Sequence, residues 1–218
     1  MAAIRARWSS RILRTAVAAL AALAAGGSCG STTPLPPITL FTLADAYVCS
    51  GDLAGINFGL EPSSFRGVGR QDIATGEQIG RQFYRFVRPV LWSPKAVASA
   101  VLHLQVRGVF AGVTPIETAV YGVDDLWGET SVTWSSQPFQ ETGILDSVSA
   151  VCCGGEYTFD VTGYVNAQIA LGDRTFCFSL RAPDEGIIGG LTWFMREGDG
   201  FPGNGFVGTW PTLVLTPP

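Results

Sequence analysis

Between Ala100 and Val106 apolar side chains recur at every second residue. Ala100, Leu102, Leu104 and Val106 share one face, and Val101, His103 and Gln105 share the other. That period of two marks a strand with one face against a core. Similar runs occur at Phe83 to Val87, Thr118 to Val123, Val132 to Trp134, Tyr157 to Val161, Thr175 to Leu180, Leu191 to Arg196 and Thr212 to Leu215. Glycine, proline, asparagine and aspartate separate them and supply the turn geometries that end strands. One stretch breaks the rhythm. Over 161–172, Tyr164, Val165, Ile169 and Leu171 fall at near-helical intervals between Thr162 and Gly172, which predicts a short helix with those two residues at its ends. Many short strands without a long helical period predict an all-β fold, an antiparallel β-sandwich or jelly roll with one short capping helix.

The amino-terminal segment follows different rules. Residues 1–28 hold four arginines (Arg5, Arg7, Arg11 and Arg14), no acid, and an apolar run from Ala16 to Ala25 that is too short for a finished membrane span. It reads as a secretory leader, with cleavage after Ala24 or Ala25, or alternatively with lipid attachment at Cys29 and anchoring at the cell surface. Residues 29–37, including "STTPLPP", read as an extended tether. From 38 to 216 there is no second compositional break, enough chain for one domain with a sizeable core.

Removing the four leader arginines leaves 10 basic residues against 18 acidic ones, a net charge of about −8. Phosphate backbones would repel such a domain, so nucleic acid is not an expected partner. Apart from Cys29, four cysteines remain. An even set in an exported chain predicts two bridges. Adjacent cysteines seldom bond to each other, so Cys49 pairs with one of Cys152 or Cys153, and Cys177 with the other.

Short phrases along the chain are more specific. "DLWGETSVTWSSQP" (125–138) follows "ADAYV" (44–48), "NFG" (57–59), "RQFYRF" (81–86), "ASAVLHLQV" (98–106) and "VYGV" (120–123). It precedes "FDVTG" (159–163), "FMRE" (194–197) and "PTLVL" (211–215). This ordered series, over roughly 38–216, resembles the DNRLRE domain, also known as carbohydrate-binding module family 96. The resemblance implies a secreted β-sandwich that binds polysaccharide. It also implies calcium, held by Asp45, Asp160 and Glu197 within the matched phrases, because sandwich sugar-binding modules often tie their first and last strands with an oxygen-ligated ion. Where many relatives have "RFDL", this chain has "RFVRPVL", so a site using that aspartate is in doubt.

Sugar binding needs an exposed aromatic face bordered by hydrogen-bonding groups. Trp92, Trp127, Trp193 and Trp210 are the candidates. Trp127, in the acidic turn, and Trp193, expected to face outward if Phe194 faces the core, are favoured; Trp134 is expected in the core. If Tyr84 and Phe86 point inward, Phe83 and Arg85 point outward, as do His103, Gln105 and Arg107 on the later strand. Were the two strands neighbours, Arg85, His103, Gln105 and Arg107 would form a basic strip suited to a uronate polymer such as alginate, because arginine grips a carboxylate with two parallel hydrogen bonds. With His103 as the one histidine, nucleophilic triads have a single available base, and no catalysis is expected. The competing expectations are a structural or adhesive surface module and a stand-alone polysaccharide lyase or hydrolase.

Overall fold

The computed structural model describes residues 35–59, 67–74, 76–111, 115–151, 155–196 and 210–218. The expected leader and Cys29, together with Cys152, Cys153 and Glu197, lie outside these residues. Eleven strands and one helix follow in chain order. They are β1 (Ile38–Phe41), β2 (Ala44–Cys49), β3 (Val68–Ile73), β4 (Gly76–Val87), β5 (Ser99–Ala111), β6 (Ile116–Val123), β7 (Gln140–Ala150), β8 (Glu156–Asp160), α1 (Thr162–Ala170), β9 (Thr175–Arg181), β10 (Gly189–Trp193) and β11 (Thr212–Thr216). The expected all-β antiparallel sandwich is what forms. Among the described residues no helix is long and apolar enough to cross a membrane.

Two sheets make the layers. In the first, β5 carries β11 on one edge and β8 on the other, and β1 pairs with β11. In the second, β4 is central. Gln82 to Arg85 pair with β2 on one side and β9 on the other, and β6 and β7 follow β9. Strand β10 joins the layers by pairing with both β5 and β3. Between them lies the main core. Ala100, Leu102, Leu104 and Val106 of β5 meet Tyr84 and Phe86 of β4, Phe176, Phe178 and Leu180 of β9, and Phe159 of β8. The alternation read along β5 is therefore the alternation between core and solvent.

Helix α1 closes one end and buries Tyr164, Val165 and Ile169. Its start differs from expectation. Thr162 is the first helical residue, Val161 takes the N-cap position without a side-chain cap, and Asp160 Oδ1 accepts the Thr162 amide at 2.9 Å. Thr162 Oγ1 instead accepts the Ala100 amide at 2.9 Å, which ties the helix to β5. Gly172, at φ +82°, ends the helix as its residue type predicts. Val132 to Trp134 is not a strand. Val132 closes a turn onto the Gly128 carbonyl, and Trp134 begins a short 3-10 turn.

The second sheet also buries part of its outer face. Ala44, Ala46 and Val48 of β2, Phe83 of β4, Cys177 of β9 and Val123 of β6 pack beneath Trp127 and Val132. The segment 124–139 forms this lid. Asp124 brackets it by accepting the amides of Leu126 and Phe139. A sheet face expected to be half wet is therefore roofed by the chain's own signature phrase.

Candidate functional site

The first sheet leaves its outer face open. Outward positions on four strands align in one row, with Thr158 of β8 opposite His103 of β5, His103 opposite Thr212 of β11, and Thr212 opposite Phe41 of β1. Phe41 is 60% exposed, and Trp210, two residues before Thr212, is 51% exposed. Their rings meet edge to face with centroids 6.4 Å apart. The amide and hydroxyl of Thr42 both donate to the Pro211 carbonyl, at 3.2 and 2.9 Å, and so pin the aromatic pair at the sheet edge. Gln105 faces out one step along from His103, across from Glu156. His103 Nδ1 lies 2.5 Å from Glu156 Oε1. Arg107 occupies a β-bulge, where Val106 and Gly108 are paired across to Trp193 and Thr192 of β10 and Arg107 is the additional residue. The result is an aromatic corner beside a row of hydroxyl, imidazole, amide and guanidinium groups.

The favoured tryptophans are elsewhere. Trp127 is 6% exposed, with its ring against Phe83 and the Arg85 guanidinium 4.4 Å above it. Trp193 is 2% exposed and packs edge-on to Tyr157 and against Phe159 in the main core. Its position opposite Val106, a core residue of β5, carries it inward. Trp92 is buried and donates Nε1 to the Pro36 carbonyl at 3.0 Å. Trp134, expected in the core, is half-buried beneath the Arg81 guanidinium. Among the described tryptophans, Trp210 alone presents a largely open ring.

The expected basic strip is not continuous. Strands β4 and β5 face each other across the main core, with Tyr84 and Phe86 against Leu102 and Leu104, so Arg85 on the far side of β4 does not share a face with His103, Gln105 and Arg107. Arg85 is instead a strut. Its Nη2 donates to the carbonyls of Asp125 and Trp127 and holds the lid down.

Several signature phrases converge on one structural knot. Asn57 donates its side-chain amide to the carbonyls of Glu129 and Val132, at 2.9 and 2.7 Å. The Glu129 carboxylate accepts the Asp45 amide at 3.1 Å and Arg196 Nη2 at 3.0 and 3.1 Å. Asp45 Oδ2 accepts the Arg196 amide, and Arg196 Nη1 donates to the Leu43 carbonyl. At Gly59 a Cβ would stand 1.7 Å from the Glu129 carbonyl oxygen, so only glycine fits beneath the turn. "ADAYV", "NFG", "WGE" and "FMRE" are thus the parts of a clasp between the first strands, the lid and the segment after β10.

Of the three residues that the resemblance gives to calcium, Asp45 and Asp160 are among the described residues and Glu197 is not. Asp45 Oδ2 accepts the Arg196 amide, and Asp160 Oδ1 accepts the Thr162 amide just ahead of α1. The Thr162 side chain first, and then its amide, hold the Asp160 carboxyl below its ordinary value. The two aspartates sit in different sheets. Among the described residues no group of three or more His, Cys, Asp or Glu side chains could hold a metal ion.

The cysteine expectation changes in part. Cys177 is a free thiol sealed beneath Trp127 and Arg85, and burial pushes its pKa to about 11. It sits at the Arg85 level of the second sheet, whereas β7 ends opposite Ile116, at the other end of β6. Cys49 is buried beside Tyr47 and Phe58.

The family model described as carbohydrate-binding module family 96 matches residues 36–200. Among curated proteins none matches the chain. The matched span contains the clasp, the lid and all of the first sheet except β11.

Proposed function

The chain belongs to carbohydrate-binding module family 96, and from that premise we propose that it is a noncatalytic binder of an acidic polysaccharide that uses the open face of the first sheet. The observation that carries this reading is the exposed Phe41–Trp210 corner beside the row His103, Thr212 and Thr158. An exposed ring can stack on the C–H side of a pyranose, and the neighbouring groups can exchange hydrogen bonds with its hydroxyls. Gln105 and Arg107 extend the row away from the aromatic corner. Arg107 supplies the guanidinium that would select a uronate carboxylate over a neutral sugar.

Two further observations favour binding over chemistry. His103, the single histidine, is held by Glu156 on an open sheet face. No nucleophile donates to it there among the described hydrogen bonds. Action outside the cell is supported by the acid-free, arginine-bearing segment ahead of the apolar run at 16–25.

Affinity electrophoresis of the purified protein through alginate, pectin and a neutral β-glucan, with assay of reducing and unsaturated ends, tests the reading. Retardation by the two uronate polymers, little by the glucan, and no released ends are expected. Equal mobility in all three gels would leave a structural module as the better account, and released ends would make the protein an enzyme.

A further inference from the structure

The outer face of the second sheet carries a charge arrangement that the lid does not explain. Strands β4 and β9 pair with Gln82 opposite Leu180. Continued by one step, that register brings Arg81 and Arg181 side by side on the outer face, because Leu180 points into the main core. Like charges placed opposite each other destabilise a sheet. A fold under no other demand gains by replacing one of them.

The surroundings of the pair are built for guanidinium groups. Arg81 lies 4.4 Å over the Trp134 ring and donates Nη1 to Gln137 Oε1 at 2.8 Å. Its Nε and Nη2 grip the two carboxylate oxygens of Glu185, each at 2.7 Å. Arg181 lies 5.3 Å over the Tyr121 ring, with Nε on Ser179 Oγ and Nη1 on Gln140 Oε1, both at 2.7 Å. Arg181 is 9% exposed, and among the described residues no carboxylate is paired with it. Two guanidinium groups thus share one carboxylate, and the group left over is the more buried one. Burial and the neighbouring Arg81 push the Arg181 pKa down to about 10, which still leaves it charged at neutral pH.

A nearly buried cation whose partners are neutral oxygens is costly unless an anion joins it. Glu185 demonstrates the chemistry that this place accepts, a carboxylate held by two parallel N–H donors. We propose that Arg181, with Arg81 and the rings of Tyr121 and Trp134, forms a second binding site that takes the carboxylate of an acidic saccharide. It lies on the opposite sheet from the Phe41–Trp210 corner and does not depend on that corner. With both sites in use, one module engages two carboxylated residues, on one polymer chain or on two.

The test is an NMR titration of the unmodified protein with monomeric galacturonate, following the arginine Nε–H resonances, with acetate and glucose as parallel arms. Galacturonate and acetate are expected to shift the Arg181 and Arg81 resonances, and glucose to leave them in place. Arg181→Gln and Arg181→Lys should each weaken the galacturonate response about tenfold or more, since each removes the fork while the lysine keeps the charge. Trp210→Ala should leave it unchanged, so that a failure of the first-sheet reading is seen separately. Arginine resonances in the unmodified protein that stay still under galacturonate would overturn the proposal, whether or not the variants fold. So would an Arg181→Lys protein that binds as well as the parent.

Discussion

Trp127 and Trp210 are the same residue type put to opposite uses, and their surroundings decide which. Trp127 is closed in by Phe83 below and Arg85 above, whereas Trp210 touches Phe41 and leaves half of its surface in water. Trp127→Ala should cost about 3–5 kcal/mol of stability, the usual range for a truncated core aromatic. Thermal melting would register that cost, and an unchanged midpoint would mean that the lid is not packed as described. Trp210→Ala and Phe41→Ala should leave the melting midpoint within a few degrees of the parent and weaken retention in a uronate gel, because an exposed ring contributes little to folding. None of this was legible in the residue types. A tryptophan within a polar phrase reads the same whether its ring faces solvent or a neighbouring strand, and the difference lies in long-range pairing such as Trp193 opposite Val106.

Single elements were legible where local periodicity determines them. Strand β5 and helix α1 follow the alternation and the helical spacing of their own residues, because the face that each buries is set within the element. Strand β7 (Gln140–Ala150) was not legible. It is an edge strand with mostly half-exposed side chains and two register shifts against β6, so it carries no clean period. The lid at 124–139 carries no period either, since its order comes from Asp124, Asn57 and Glu129 rather than from a repeat. The clasp makes this testable. Glu129→Gln loses the charge that Arg196 and the Asp45 amide share, and should cost about 2 kcal/mol, the scale of hydrogen bonds to a charged group. Hydrogen exchange should then quicken at the amides of Asp45 and Val132 before it does in β9, because the clasp ties the lid to β2 while β9 is held from both edges. Uniform quickening across the sandwich would show that the clasp is part of the global fold and not a local tie.

At the scale of the molecule, the burial of weak acids sets how the sandwich responds to alkali. Tyr84 and Tyr164 lie in the main core with their phenols pushed well above the ordinary tyrosine value, chiefly by burial. The Cys177 thiol is raised to about 11 by the same cause, on the other face of the same sheet. Each of these groups is neutral when buried, and each ionises at a lower pH in the unfolded chain, near 8.5 for cysteine and 10 for tyrosine, taking those as about the reference values. The sign follows from linkage. A group whose folded pKa is raised contributes stability that is complete below its unfolded pKa and is lost as pH rises toward its folded one. The melting midpoint should therefore hold steady up to about pH 8.5 and fall progressively to about pH 11. Cys177→Ala separates the contributions. Without the thiol, the decline between about pH 8.5 and 11 should be shallower, and cysteine alkylation of the native parent at pH 8 should leave residue 177 unmodified until the sheet opens. An equally steep decline in parent and variant would mean that Cys177 is not sealed beneath Trp127, and with it the description of the lid as a closed roof would fail.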